Sequence, residues 1–126
     1  LLVDDEPLIR RSMQKTLVRL GFDVTTAGNC VDGLATFSAA LHTDHPFDLA
    51  LLDLNMPGFD GQPQEGAGLE LLSRLMEQHP GLPAIILTAY DEVAKAKNAI
   101  ARGARDYFVK GRDEGLVDLI DAILEK

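Results

Sequence analysis

Leu1-Leu2-Val3-Asp4-Asp5-Glu6-Pro7-Leu8-Ile9 runs from an apolar stretch through three acids to a proline that opens a helical pattern. The apolar stretch at 1–3 predicts a strand, and its continuous hydrophobicity suits one covered on both faces. Ile9, Met13, Leu17 and Leu20 then recur three or four apart, with Arg10, Arg11, Gln14 and Lys15 on the other side. Pro7 suits the first turn of that helix and Gly21 its end. The acids therefore fall where a strand hands over to a helix. The same alternation continues downstream. Apolar, β-rich runs at 22–26, 48–52, 84–88 and 106–109 predict four more strands. Helical spacing predicts helices over about 31–41, 69–78, 92–102 and 114–124, the last with Asp113 as its N-cap.

Strict strand–helix alternation implies an α/β domain with a parallel sheet, and right-handed crossovers place helices on both faces. Five such units in 126 residues point to a single flavodoxin-like (βα)5 domain with strand order 2-1-3-4-5. Residues 57–68, with Gly58, Gly61, Gly66, Gly68 and two prolines, are expected to form one long loop.

Composition narrows the function. Hydrophobic residues make up 46% and charged residues 25%, which excludes a disordered chain or a coiled-coil rod. No apolar run approaches the ~20 residues that span a bilayer, and no signal-peptide pattern is visible. Twelve basic against twenty acidic residues give a net charge of −8, which argues against direct nucleic-acid or anionic-membrane binding. Cys30 is the single cysteine, so an intrachain disulfide and a cysteine-based metal site are excluded, and a reducing, cytoplasmic setting fits. His42 and His45 lie in a polar stretch read as a solvated helix end or loop rather than a zinc pair, and His79 stands apart. The apolar opening without methionine suggests a trimmed first strand and one piece of a longer protein.

Ligands of such sheets bind beyond the carboxyl ends of the strands. The first predicted strand ends in Asp4-Asp5, the third in Asp53, the fourth in Thr88 and the fifth in Lys110. Three carboxylates, a hydroxyl and an ammonium should thus gather at one edge. Clustered carboxylates repel, and a hard divalent cation relieves them; an all-oxygen donor set favours Mg²⁺ over zinc. Mg²⁺ pairs readily with phosphate, and a strand-end carboxylate can act as nucleophile to become an aspartyl phosphate. Lys110 and Thr88 would then hold phosphoryl oxygens. Taken singly, each residue has a plainer reading: Asp5 as a cap of the first helix, Thr88 as a cap of the fourth, Lys110 as a loop charge. Their conjunction on one edge outweighs those readings.

Leu2-Val3-Asp4-Asp5-Glu6, Leu51-Leu52-Asp53-Leu54-Asn55-Met56-Pro57, Asp60-Gly61, Leu87-Thr88-Ala89 and Gly103-Ala104-Arg105-Asp106-Tyr107-Phe108-Val109-Lys110 occur in the order of the CheY-like receiver domains of two-component response regulators. The chain resembles that family over essentially its whole length. The resemblance implies that Asp53 accepts a phosphoryl group from a phosphohistidine on a sensor histidine kinase or histidine phosphotransfer protein. It implies Mg²⁺ on Asp5, Asp53 and the backbone carbonyl of Asn55, with Asp4 contributing directly or through water. It places Thr88, Lys110 and the amide of Ala89 on the phosphoryl oxygens. Thr88 and Tyr107 occupy the positions of the family's switch, whose readout is the face of the fourth helix, fifth strand and fifth helix. That face would control an output domain or partner, and it is a habitual dimer surface in the family.

Gly111 replaces the proline that commonly follows the lysine in this family, so a cis bond there is not expected. The segment 62–68 reads as an insertion: slack, a shield for the acyl phosphate, or a partner contact. Asn55 and Tyr90 stand where the family tunes dephosphorylation, with bulky Tyr90 expected to hinder the attacking water. The main rival is a small Mg²⁺-dependent phosphohydrolase of the haloacid dehalogenase type. Such enzymes carry an acid two residues after the nucleophile, and Asn55 cannot serve as one. A flavodoxin-like FMN binder would need a hydroxyl- and glycine-rich loop after the first strand. A degenerate receiver used only for docking is disfavoured by the complete set of acids, Thr88 and Lys110.

Overall fold

The computed structural model describes residues 1–64, 66–89, 92–110 and 115–124. The order of elements is β1 (Leu2–Val3), α1 (Pro7–Arg19), β2 (Thr26–Ala27), α2 (Cys30–Leu41), β3 (Ala50–Asp53), β4 (Met56–Pro57), β5 (Pro63–Gln64), α3 (Ala67–Gln78), β6 (Ala84–Thr88), α4 (Val93–Ala101), β7 (Asp106–Val109) and α5 (Leu116–Leu124). The main sheet is parallel in the order β2-β1-β3-β6-β7. With the small β4–β5 hairpin set aside, that is the expected 2-1-3-4-5 winding of a flavodoxin-like fold.

Pleating splits the core in two, because successive side chains of a strand face opposite sides. Val3, Leu52 and Ile86 pack with Phe37 of α2, Leu71, Leu72 and Leu75 of α3, and Ala96 and Ala99 of α4. Leu2, Leu51, Ile85 and Leu87 pack on the opposite face with Met13 and Leu17 of α1 and Leu116 and Ile120 of α5. Both faces are covered, so the strands read as unbroken apolar runs. β7 is the exception: each of its four residues is only partly buried, as expected of an edge.

Helix ends follow local chemistry. Pro7 opens α1, where its missing N–H costs nothing, and Gly21 (φ 99°) lets the chain leave. The side chain of Asn29 accepts from the Asp32 amide at 2.8 Å and caps α2. The expected cap Asp113, and the expected helix start at 114, lie outside the described residues.

Two expectations need correction. The second strand is Thr26–Ala27, not 22–26. Its register is dictated by two-residue β1, through Leu2↔Thr26 and Val3↔Ala27. Phe22 and Val24 supply the apolar signal from a loop, where they pack on the α1–α5 side. The expected long loop at 57–68 instead contains an antiparallel hairpin, pairing Met56 with Gln64 and Pro57 with Pro63. Its turn is closed by the Gly58 amide on the Gln62 carbonyl (2.9 Å) and by the Gln62 amide on Asp60 Oδ1 (3.0 Å). Ala67 and Gly68 already belong to α3.

Candidate functional site

β1, β3, β6 and β7 end side by side, and each carries its polar residue to that edge. Asp4, Asp53 and Thr88 are the buried polar residues of the described part, at 0%, 3% and 1% exposure. Such groups are seldom buried without partners or a ligand. Lys110 enters from the last strand, anchored by its amide on the Thr88 carbonyl at 2.8 Å. Its ammonium lies 2.9 Å from Asp53 Oδ1, 3.1 Å from Asp4 Oδ2 and 3.2 Å from Glu6 Oε1.

Burial pushes the Asp53 carboxyl up to about 7, helped by the charge of Asp4 and a hydrogen bond with Asp5, while Lys110 pulls it back. Burial opposes the Lys110 ammonium, but Asp53 and Asp4 outweigh it and raise its pKa. The site thus holds more negative charge than Lys110 neutralises. Asp53 Oδ2 and Asp4 Oδ2 are buried without a hydrogen-bond partner; Lys110 meets the latter as an ion pair lacking hydrogen-bond alignment. Carboxylates of Asp4, Asp5 and Glu6 also lie within 4.8 Å of one another. Clustered anionic oxygens of this kind, those of Asp4 and Asp53 buried, fit a hard cation of the Mg²⁺ class.

Asp4, Asp53 and Lys110 meet at this edge, with Thr88 beside Lys110. Asp5 is exposed, its carboxylate lies within 4.8 Å of those of Asp4 and Glu6, and its side chain helps raise the Asp53 pKa, so it shares their neighbourhood. The Thr88 hydroxyl donates to the Ala89 carbonyl at 3.2 Å. Tyr107 is partly buried and packs against the core on the α2–α3–α4 side. Asp5 does not cap α1; the N-cap is Glu6, whose amide donates to Asp4 Oδ1 at 2.9 Å. His42 caps the C-terminus of α2, and the His45 amide donates to Thr43 Oγ1 at 3.1 Å, both helix-end features. Tyr90 and Gly111 lie outside the described residues.

Two participants, and the side-chain contact of Asn55, were not legible beforehand. Arg10, expected on the solvent side of α1, is half-buried, and its Nη1 donates to the Asp4 carbonyl at 2.7 Å. Its signal was its place one turn after Glu6. Glu6 joins Lys110 from the strand-one loop. Asn55 turns its side-chain oxygen to the Gly66 amide at 2.8 Å.

A parallel α/β sheet with acids, a lysine and a threonine at its carboxyl edge fits a phosphoryl-switch class of protein. Comparison with known proteins makes this specific. The sequence profile of the response regulator receiver domain matches residues 1–123. The response regulator protein PilR of Pseudomonas aeruginosa is 35% identical over 115 residues, 91% of this chain and 23% of PilR. The DNA-binding transcriptional regulator NtrC of Salmonella typhimurium is 36% identical over 124 residues, 98% of this chain and 23% of NtrC. The chain therefore spans about a quarter of the length of these relatives. The crystal structure of the receiver domain of NtrX from Brucella abortus superposes with a TM-score of 0.82 at 29% identity, covering 99% of this chain and 97% of that one. A CheY-like receiver domain from Methanospirillum hungatei gives 0.81 at 28% identity, covering 98% and 90%. The chain belongs to the response regulator receiver domain family, and its role is phosphorelay signalling. Among the described residues, no helix is long and apolar enough to cross a membrane.

Proposed function

We propose that residues 1–126 act as the receiver unit of a longer response regulator, with Asp53 as the phosphoacceptor. A carboxylate oxygen of Asp53 attacks the phosphorus of a phosphohistidine on a sensor histidine kinase or histidine phosphotransfer protein. The P–N bond breaks, its electron pair stays on the imidazole, and an acyl phosphate forms on Asp53. Asp4, Asp5, Asp53 and the backbone carbonyl of Asn55 would hold Mg²⁺, which supplies charge neutralisation for the approaching phosphoryl group. Lys110 and Thr88, with the Ala89 amide, bind phosphoryl oxygens. Thr88 and Tyr107 then bias the α4–β7–α5 face between two states, and that face acts on an output domain, a partner or a second copy. The setting is the cytoplasm.

The observation that carries this reading is the Lys110 ammonium shared by buried Asp53 and Asp4, beside a buried Asp53 Oδ2 without a hydrogen-bond partner. The rival phosphohydrolase lacks support, because Asn55 is an amide already engaged with the backbone of Gly66. Incubation with acetyl phosphate and Mg²⁺, followed by intact mass, tests the proposal. Wild type is expected to gain one labile phosphoryl group and Asp53→Asn none. Phosphate retained on Asp53→Asn, or no gain by wild type, would sink it.

A further inference from the structure

The β4–β5 hairpin leaves the chain directly after the segment that carries Asp53 and returns as the start of α3. Its return is fastened at two points. The Gly66 amide donates to Asn55 Oδ1 at 2.8 Å, and the Gly68 amide donates to the Leu54 carbonyl at 2.9 Å. Gly68 sits so close that a methyl group there would overlap the Asp53 carbonyl oxygen. The hairpin is in turn held on α3: Arg74 lies 4.1 Å over the Phe59 ring and pairs with Glu70, which also accepts from Gln64.

We propose that Asn55 is a positioning residue: its side chain clamps the returning hairpin so that its own backbone carbonyl is fixed beside Asp53 for the cation. The inference rests on the Mg²⁺-assisted phosphoacceptor reading and assigns the hairpin a part in it. The physical reason is that the last ladder bond at this strand end is the Leu54 amide on the Leu87 carbonyl (2.9 Å), and Asn55 continues past it. The two amides at the start of α3 replace the missing ladder. A carbonyl held in advance loses less conformational freedom when a cation binds. The same bond keeps the Asn55 amide occupied on the backbone.

The test compares wild type, Asn55→Leu, which is similar in size but lacks the acceptor, and Asn55→Asp, which keeps it. Mg²⁺ affinity is measured by calorimetry, and Gly66 amide exchange by NMR. Asn55→Leu is expected to lose protection at Gly66 and to bind Mg²⁺ roughly tenfold more weakly, the usual size of a supporting-contact defect. Asn55→Asp should recover both. If Gly66 protection is lost while Mg²⁺ affinity stays at the wild-type value, the hydrogen bond is only structural and the clamp is overturned. A wild type that binds no Mg²⁺ would overturn the parent reading and the clamp together.

Discussion

Three carboxylates compete for the Lys110 ammonium. Its contacts to Asp4 and Asp53 are buried, so removing the ammonium strands uncompensated charge, whereas Glu6, whose side chain is 57% exposed, adds little. Lys110→Met therefore leaves two buried carboxylates facing each other. In EDTA at pH 8 this variant is expected to lose roughly 3 kcal/mol in urea unfolding. The deficit should shrink at pH 5, where Asp53 takes up a proton. Unfolding of equal stability at pH 8 would mean that the ion pairs are not formed in solution. Asp53 itself gives a second signature. In the unfolded chain it ionises near 3.8, but in the fold its carboxyl is pushed up to about 7. Between those values the folded state binds more protons than the unfolded one, so this group's contribution falls as pH rises through that window. Metal-free wild type should thus lose ground to Asp53→Asn from about pH 4 to about pH 7, by on the order of 2–4 kcal/mol. Above that window the difference should be level. Parallel pH curves for the two proteins would contradict the raised carboxyl.

The elements show which signals a sequence carries. Asp53, Thr88 and Lys110 were legible because each follows an apolar run whose strand end is marked by the switch to polar residues. Ala84 to Thr88 reads as a strand, and is one, because sheet and helices cover both its faces. β2 was not legible: Phe22 and Val24 are as apolar as strand residues, and only pairing with β1 chooses Thr26–Ala27 instead. The hairpin hid for the opposite reason. Its glycines and prolines look like loop, yet Pro57 and Pro63 pair on a two-stranded ribbon where edge positions tolerate them. Gly68 shows how the same composition misleads about energetics. In an ordinary helix interior Gly→Ala stabilises by up to ~1 kcal/mol. Here the added methyl would overlap the Asp53 carbonyl, so α3 or the end of β3 must move. Gly68→Ala is expected to destabilise by about 1–3 kcal/mol and to slow phosphoryl uptake from acetyl phosphate. A stabilised Gly68→Ala protein with unchanged uptake would show that α3 does not approach β3 this closely.

At the scale of the molecule, the main sheet separates two apolar cores. Strands β1, β3 and β6 carry residues of both cores and end at the acidic edge, so strain among its carboxylates is felt by the whole fold. This makes global stability a readout of local charge. The chain carries a net −8, and each buried carboxylate oxygen without a partner adds to the repulsion that folding must overcome. A cation bound only in the folded state must then stabilise by mass action, by about 2.7 kcal/mol at a hundredfold excess over its dissociation constant. Each further tenfold increase in Mg²⁺ should add about 1.4 kcal/mol, the slope of a single site. Asp53→Asn and Asp5→Asn remove donors from the set and should flatten that dependence, whereas EDTA should abolish it in wild type. Chemical unfolding across a Mg²⁺ series measures the slope directly. A sodium chloride control at matched ionic strength separates binding from screening, because diffuse screening would raise the stability of wild type and both variants alike. Equal slopes in all three proteins would place the cation's effect elsewhere than at Asp5 and Asp53.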